Sequence, residues 1–108
     1  MSNSNNTRRE ARTNRVVHVH WLNRERDAEP AEVLDASGGG LFVVPSGELP
    51  ESIGQGDRAW IVVPQPGGDT TLSGIVRWRG YSQAHDAIGF GIELDASCRD
   101  LAGKAFAL

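Results

Sequence analysis

Between residues 15 and 94 the chain alternates short apolar runs with polar, glycine-rich breaks, the pattern of strands joined by tight turns. From Arg15 a first strand begins, with Val17, Val19 and Trp21 on one face and His18 and His20 on the other. Asn23 to Pro30 reads as a charged connection, Glu32-Val33-Leu34-Asp35 as a second strand, and Gly40-Leu41-Phe42-Val43-Val44 as a third. Pro45 to Gly56 is loop, and Asp57 to Val63, with Trp60, is a fourth strand. Pro64-Gln65-Pro66-Gly67-Gly68-Asp69 is a turn signal leading into a long strand from Thr70 to Arg79. A polar loop then gives way to a last strand, Ile88 to Leu94. Asp95-Ala96-Ser97 is placed to cap a final helix, with Leu101, Ala105 and Leu108 at helical spacing for one packed face. The expected fold is all-β: a small six-stranded antiparallel barrel with a short C-terminal helix.

Composition agrees with that reading. Thirteen glycines in 108 residues, with a 39% hydrophobic fraction, suit one globular domain of short strands better than a helical bundle. Residues 1–7 are small and polar and are expected to be disordered. A flexible basic arm is expected from residue 8, belonging to a barrel domain that spans 8–95, with the helix over 96–108.

Net charge is −3, but it is unevenly spread. Arg8, Arg9, Arg12 and Arg15 against Glu10 give residues 1–15 a balance of +3, leaving −6 for the rest. That argues against general nucleic-acid binding, which uses a broad basic surface, and allows capture of a small anion at one end. Cys98 is the single cysteine, so an intramolecular disulfide is excluded and a reducing compartment fits. No run approaches the ~20 apolar residues of a membrane span, and the first residues have no apolar stretch, so a cytoplasmic protein without membrane insertion is expected.

Two short motifs carry the chemistry. Arg8-Arg9-Glu10-Ala11-Arg12 offers three guanidinium groups on a segment too polar for a core. Asp35-Ala36-Ser37-Gly38-Gly39-Gly40 puts a carboxylate, a hydroxyl and bare backbone in one turn. Guanidinium forks grip phosphate oxygens or a guanine O6/N7 edge, and a carboxylate accepts from guanine N–H groups. Alone, the first motif is more often a solvated tail and the second more often a hairpin turn. Together they suit a ligand with both phosphates and purine edges.

The arrangement R-R-x-x-R followed by D-x-S-x-x-G resembles the PilZ family of bacterial cyclic di-GMP receptors. Arg8, Arg9 and Arg12 match the first motif, and Asp35, Ser37 and Gly40 the second. Gly74-Ile75-Val76-Arg77-Trp78 and Gly89-Phe90-Gly91-Ile92-Glu93-Leu94 are similar to late strands of that family, so the likeness runs from Arg8 to Leu94. It implies a binding adaptor that is not an enzyme and has no cofactor beyond its ligand, cyclic di-GMP. Output then passes through an effector protein, in motility, exopolysaccharide, biofilm or development. The resemblance implies that the arginines hold phosphates or a guanine edge, that Asp35 accepts from guanine N1–H and N2–H, and that Ser37 bonds a phosphate or ring nitrogen. Gly38, Gly39 and Gly40 are expected to permit positive φ and close approach of backbone N–H groups, and Trp78 to offer a stacking surface. The arm is expected to fold over the nucleotide.

Rival readings are a PilZ-fold interaction module that does not bind nucleotide and a small nucleic-acid-binding barrel that uses Trp stacking. Trp21 and Trp60 are expected in core or sheet packing rather than as base platforms. His18, His20 and His85 lack the spacing of a metal site, and Ser37 is not in a nucleophile elbow.

Overall fold

A curled sheet with alternating side chains can bury its apolar face by closing on itself, and that is the solution here. The computed structural model describes residues 12–13, 16–22 and 28–108. Its strands are β1 (Arg12–Thr13), β2 (Val17–Leu22), β3 (Ala28–Ser37), β4 (Gly40–Pro45), β5 (Arg58–Val63), β6 (Thr70–Ser82) and β7 (Ala87–Leu94). A 3-10 turn, Ala96–Cys98, leads into α1 (Arg99–Ala105). All pairings are antiparallel, in the order β3-β2-β5-β6-β7-β4, and β4 pairs back onto β3 to close a six-stranded barrel. The two-residue β1, expected in the arm, lies outside the barrel against β3. Arg8, Arg9 and the tail 1–7 lie outside the described residues.

The interior is filled as alternation requires. Val19 and Trp21 of β2 are buried while His18 and His20 face solvent. Val33, Val43, Ile61, Val63, Leu72, Val76, Phe90 and Ile92 complete the barrel core, with Trp21 tilted against Phe90 at 5.7 Å. Trp60 is half-buried on the other face of β5.

The C-terminal segment departs from expectation in two ways. Asp95 does not cap the helix with its side chain. Its carboxylate instead accepts from Ser73 Oγ at 2.6 Å and Arg58 Nη1 at 2.8 Å, tying the turn to β6 and β5. The packed face of α1 is Ala102 and Phe106, 0% and 1% exposed, with Ala105 and Leu108 at its edge, whereas Leu101 is exposed. Two stripes offset by one residue both satisfy the i, i+3/i+4 rule. The 3-10 turn that precedes α1, with Cys98 buried beneath it, sets which of them meets the core.

Candidate ligand-binding site

Two β-bulges build the site. Val33 points into the barrel, so strict alternation would send Asp35 inward as well, where a carboxylate is costly. The register with β4 shifts between Val33 and Asp35: Val33 opposes Val43, and Asp35 opposes Phe42. The extra residue turns Asp35 to the outer face and returns Ala36 to the core. The same happens on β6. Val76 is buried, the register with β7 shifts between Val76 and Trp78, and Trp78 comes to the outside opposite Gly91.

These positions form one lateral row on the outer wall. Trp78 of β6 opposes Gly91 of β7, Gly91 opposes Phe42 of β4, and Phe42 opposes Asp35 of β3. Gly91 matters because a side chain there would overlap the Trp78 indole. Without one, the indole crosses β7 and stacks on Phe42, with centroids 5.4 Å apart and rings 14° from parallel. His85, from the β6–β7 turn, also stacks on Phe42, at 4.8 Å and 23°. Phe42 is thus only 5% exposed although it lies outside the core cluster.

Around this row is a cleft of about 330 Å³, at the small end of the range for ligand sites. Asp35, Ser37, Gly39, Gly40, Trp78 and His85 line it, with Arg77 and Glu93 at one side. Arg77 Nε donates to Glu93 Oε1 at 2.6 Å, an exposed pair worth no more than about 1 kcal/mol. His85 Nε2 is 3.5 Å from Asp35 Oδ2. Strand β1 brings the last residue of the first motif beside the second, since Arg12 pairs with Ser37 and Thr13 with Ala36.

The glycine-rich turn works differently from expectation. None of Gly38, Gly39 and Gly40 takes a positive φ; those glycines are Gly56, Gly68 and Gly80. The motif glycines instead keep bulk away. A Cβ on Gly40 would stand 3.2 Å from the Ile92 carbonyl oxygen, and the Arg99 guanidinium lies over Gly39. The Gly39 carbonyl accepts from Leu94 N at 3.0 Å, pinning the turn to the end of β7. Space around Gly38 is open.

The PilZ domain family model matches residues 6–102. The chain belongs to the PilZ domain family. This PilZ domain is similar in fold to the Bacillus subtilis inhibitor of motility MotI/DgrA, with TM-score 0.61 and 18% identity. The match covers 93% of this chain and 49% of that one, so this chain spans about half the length of that relative. It is also similar to the PilZ domain of Escherichia coli YcgR, solved with c-di-GMP, with TM-score 0.65 and 11% identity over 93% of this chain and 88% of that one. No match was found among curated proteins.

Of the residues singled out in the sequence, the PilZ fold brings Asp35, Ser37, Gly39, Gly40 and Trp78 together in the cleft and sets the Arg12 backbone beside Ser37. Gly38 adjoins but does not line it. Sequence reasoning missed Phe42, Arg77, Ser82, His85 and Glu93. Phe42 left a signal: between inward Leu41 and Val43, alternation puts a large aromatic on the outer wall. His85 left none, because a turn residue has no periodicity. No group of three or more His, Cys, Asp or Glu among the described residues is placed to hold a metal, and no described helix is long and apolar enough to cross a membrane.

Proposed function

We propose that this PilZ domain is a receptor for cyclic di-GMP that acts through a protein partner in the bacterial cytoplasm, without catalysis and without nucleic acid. The observation that carries the reading is the row Trp78, Gly91, Phe42 and Asp35, with Arg12 paired to Ser37 at its end. An aromatic surface, a carboxylate and a hydroxyl on one wall suit a guanine and its phosphate. The solved complex of the YcgR PilZ domain with c-di-GMP supports the choice of ligand. Arg8, Arg9 and Arg12 supply the phosphate and O6/N7 contacts, Asp35 accepts from guanine N1–H and N2–H, and Ser37 bonds a phosphate oxygen or ring nitrogen. Gly38, Gly39 and Gly40 keep the approach open, and Trp78 stacks.

Binding closes the segment that carries Arg8 and Arg9 over the nucleotide and presents a new surface to an effector controlling motility, exopolysaccharide, biofilm or development. The ligand drives this because it binds the closed arrangement more tightly than the open one. Isothermal titration with cyclic di-GMP, beside Arg8→Ala and Asp35→Ala variants and a GTP control, tests the reading. A charge-assisted hydrogen bond contributes about 1.5–3 kcal/mol, so each substitution weakens binding roughly ten- to a hundredfold. A folded protein that gives no heat at high ligand concentration would overturn the proposal in favour of a PilZ-fold interaction module.

A further inference from the structure

Arg77 belongs to neither motif, yet the bulge on β6 delivers it to the cleft beside Trp78. Simple alternation after the buried Val76 would put Arg77 outside and send Trp78 back into the core. The register shift between Val76 and Trp78 makes Arg77 the extra residue, so that Arg77 and Trp78 together oppose the single Gly91 of β7. Both side chains are exposed, and both line the cleft. One bulge thus sets a guanidinium and an indole next to each other on the outer wall.

The guanidinium is held at one corner. Arg77 Nε donates to Glu93 Oε1 at 2.6 Å, and among the described residues no group takes a hydrogen bond from its Nη nitrogens. A guanidinium is planar and carries its donors in a fixed fork. Pinning Nε limits how that plane turns and leaves the Nη edge free, with two parallel N–H groups. Such an edge matches two acceptors side by side, either guanine O6 and N7 or two phosphate oxygens. Position decides between them. Arg77 stands at the β6 end of the row Trp78, Gly91, Phe42 and Asp35, whereas Arg12 pairs with Ser37 at the β3 end. Three strand spacings separate the two ends, roughly 14 Å along the wall. The hydroxyl and the first motif are at the far end; beside Arg77 is the indole, the surface that suits a base.

We infer that Arg77 is a further ligand-binding residue, donating through its Nη edge to O6 and N7 of the guanine that stacks on Trp78. The inference rests on the cyclic di-GMP reading and adds to it a specificity contact supplied by the barrel wall. Adenine would set its N6 amino donor where guanine has O6, against the cation. The arginines of the first motif are left to the phosphates and the second guanine. Glu93, a carboxylate lining a cleft for a dianionic ligand, is then accounted for: its charge is met by Arg77, and it orients the fork.

The test is a double-mutant cycle between Arg77 and the guanine N7. Cyclic di-GMP and its 7-deaza analogue, in which C–H replaces N7 while O6, N1–H and N2–H are kept, are titrated against the unaltered protein and Arg77→Ala. The unaltered protein is expected to bind the deaza analogue at least about tenfold more weakly, the weight of one hydrogen bond to a charged group. Arg77→Ala is expected to cut that ratio by about tenfold. A contact of the first motif with the other guanine enters both proteins alike and cancels, as does the repulsion from a Glu93 left without its partner. Arg77→Met, which keeps an unbranched stem and has no donor, replaces Arg77→Ala should the latter fail to fold. Equal ratios in the two proteins would overturn the inference: if both affinities fell together the guanidinium would be holding a phosphate, and if neither fell it would be touching nothing. An unaltered protein that binds both ligands equally well would overturn it while sparing the receptor reading. A folded protein that binds neither ligand would remove the receptor reading and the inference with it.

Discussion

Gly74, Gly89 and Gly91 show how much depends on what a single methyl group would strike. At Gly89 it would overlap the Val43 carbonyl oxygen across β4, and at Gly74 the Glu93 carbonyl oxygen across β7, both backbone atoms in the barrel wall. At Gly91 the three nearest atoms would all belong to the Trp78 indole, a side chain 42% exposed that can swing outward. Gly89→Ala is therefore expected to destabilise by about 1–3 kcal/mol. A domain of this size loses roughly 4–8 °C in Tm per kcal/mol. Gly91→Ala should lower Tm by less, giving up the Phe42–Trp78 stack of about 0.5–1.5 kcal/mol, shift tryptophan emission to the red and weaken ligand binding. Calorimetry with fluorescence separates the two; a Gly91→Ala protein as unstable as Gly89→Ala, with unmoved emission, would show Trp78 to be fixed. At this scale Asp35, Ser37 and Trp78 were legible in the sequence because their chemistry stands out on polar or half-polar segments. The role of Gly91 was not, because it exists only relative to Trp78 and Phe42 on neighbouring strands.

Among the elements, α1 and the two bulges separate local from tertiary information. The helix was legible from its spacing, but its packed face was not. Leu101 and Ala102 lie about 100° apart around the helix axis, and composition favours the leucine. The structure buries Ala102 with Phe106 and exposes Leu101. Phe106→Ala should cost about 3–5 kcal/mol, because the void would lie against the barrel core. Leu101→Ala should stay within about 0.5 kcal/mol. Urea unfolding midpoints check both, and a larger loss for Leu101 would mean that the helix docks through its other face. The bulges at Val33/Asp35 and Val76/Trp78 were invisible for a related reason. A bulge is a mismatch between two strands, and neither strand records it alone.

For the whole molecule, Asp95 ties the end of β7 to β6 and β5 at one end of the barrel. Its carboxylate joins β6 through Ser73 and β5 through Arg58, and its backbone N–H donates to Ser73 O at 2.9 Å. The Ser73 hydroxyl first, and the Arg58 guanidinium second, hold the Asp95 carboxyl below its usual range. The unfolded chain therefore takes up the Asp95 proton at higher pH than the folded one. The stabilisation is complete above the unfolded value of about 3.9 and is lost as pH falls through the lower folded value. Thermal unfolding followed below about pH 4 should show this loss in the unaltered protein and a shallower fall in Asp95→Asn. An equal slope in both would assign the acid sensitivity to other carboxylates.

The sequence by itself determined the six strands of the barrel, the all-β class, the C-terminal helix and the two motifs. Each of these is written in alternation, turn residues or side-chain chemistry within a few neighbouring positions. Only the tertiary structure decided which residues share the cleft. Two bulges turn Asp35 and Trp78 out of the barrel, a missing side chain at Gly91 lets the indole reach Phe42, and a tight turn folds His85 against Asp35. Those relations arise from register between strands distant in the chain, and register is settled by closing the barrel around its core.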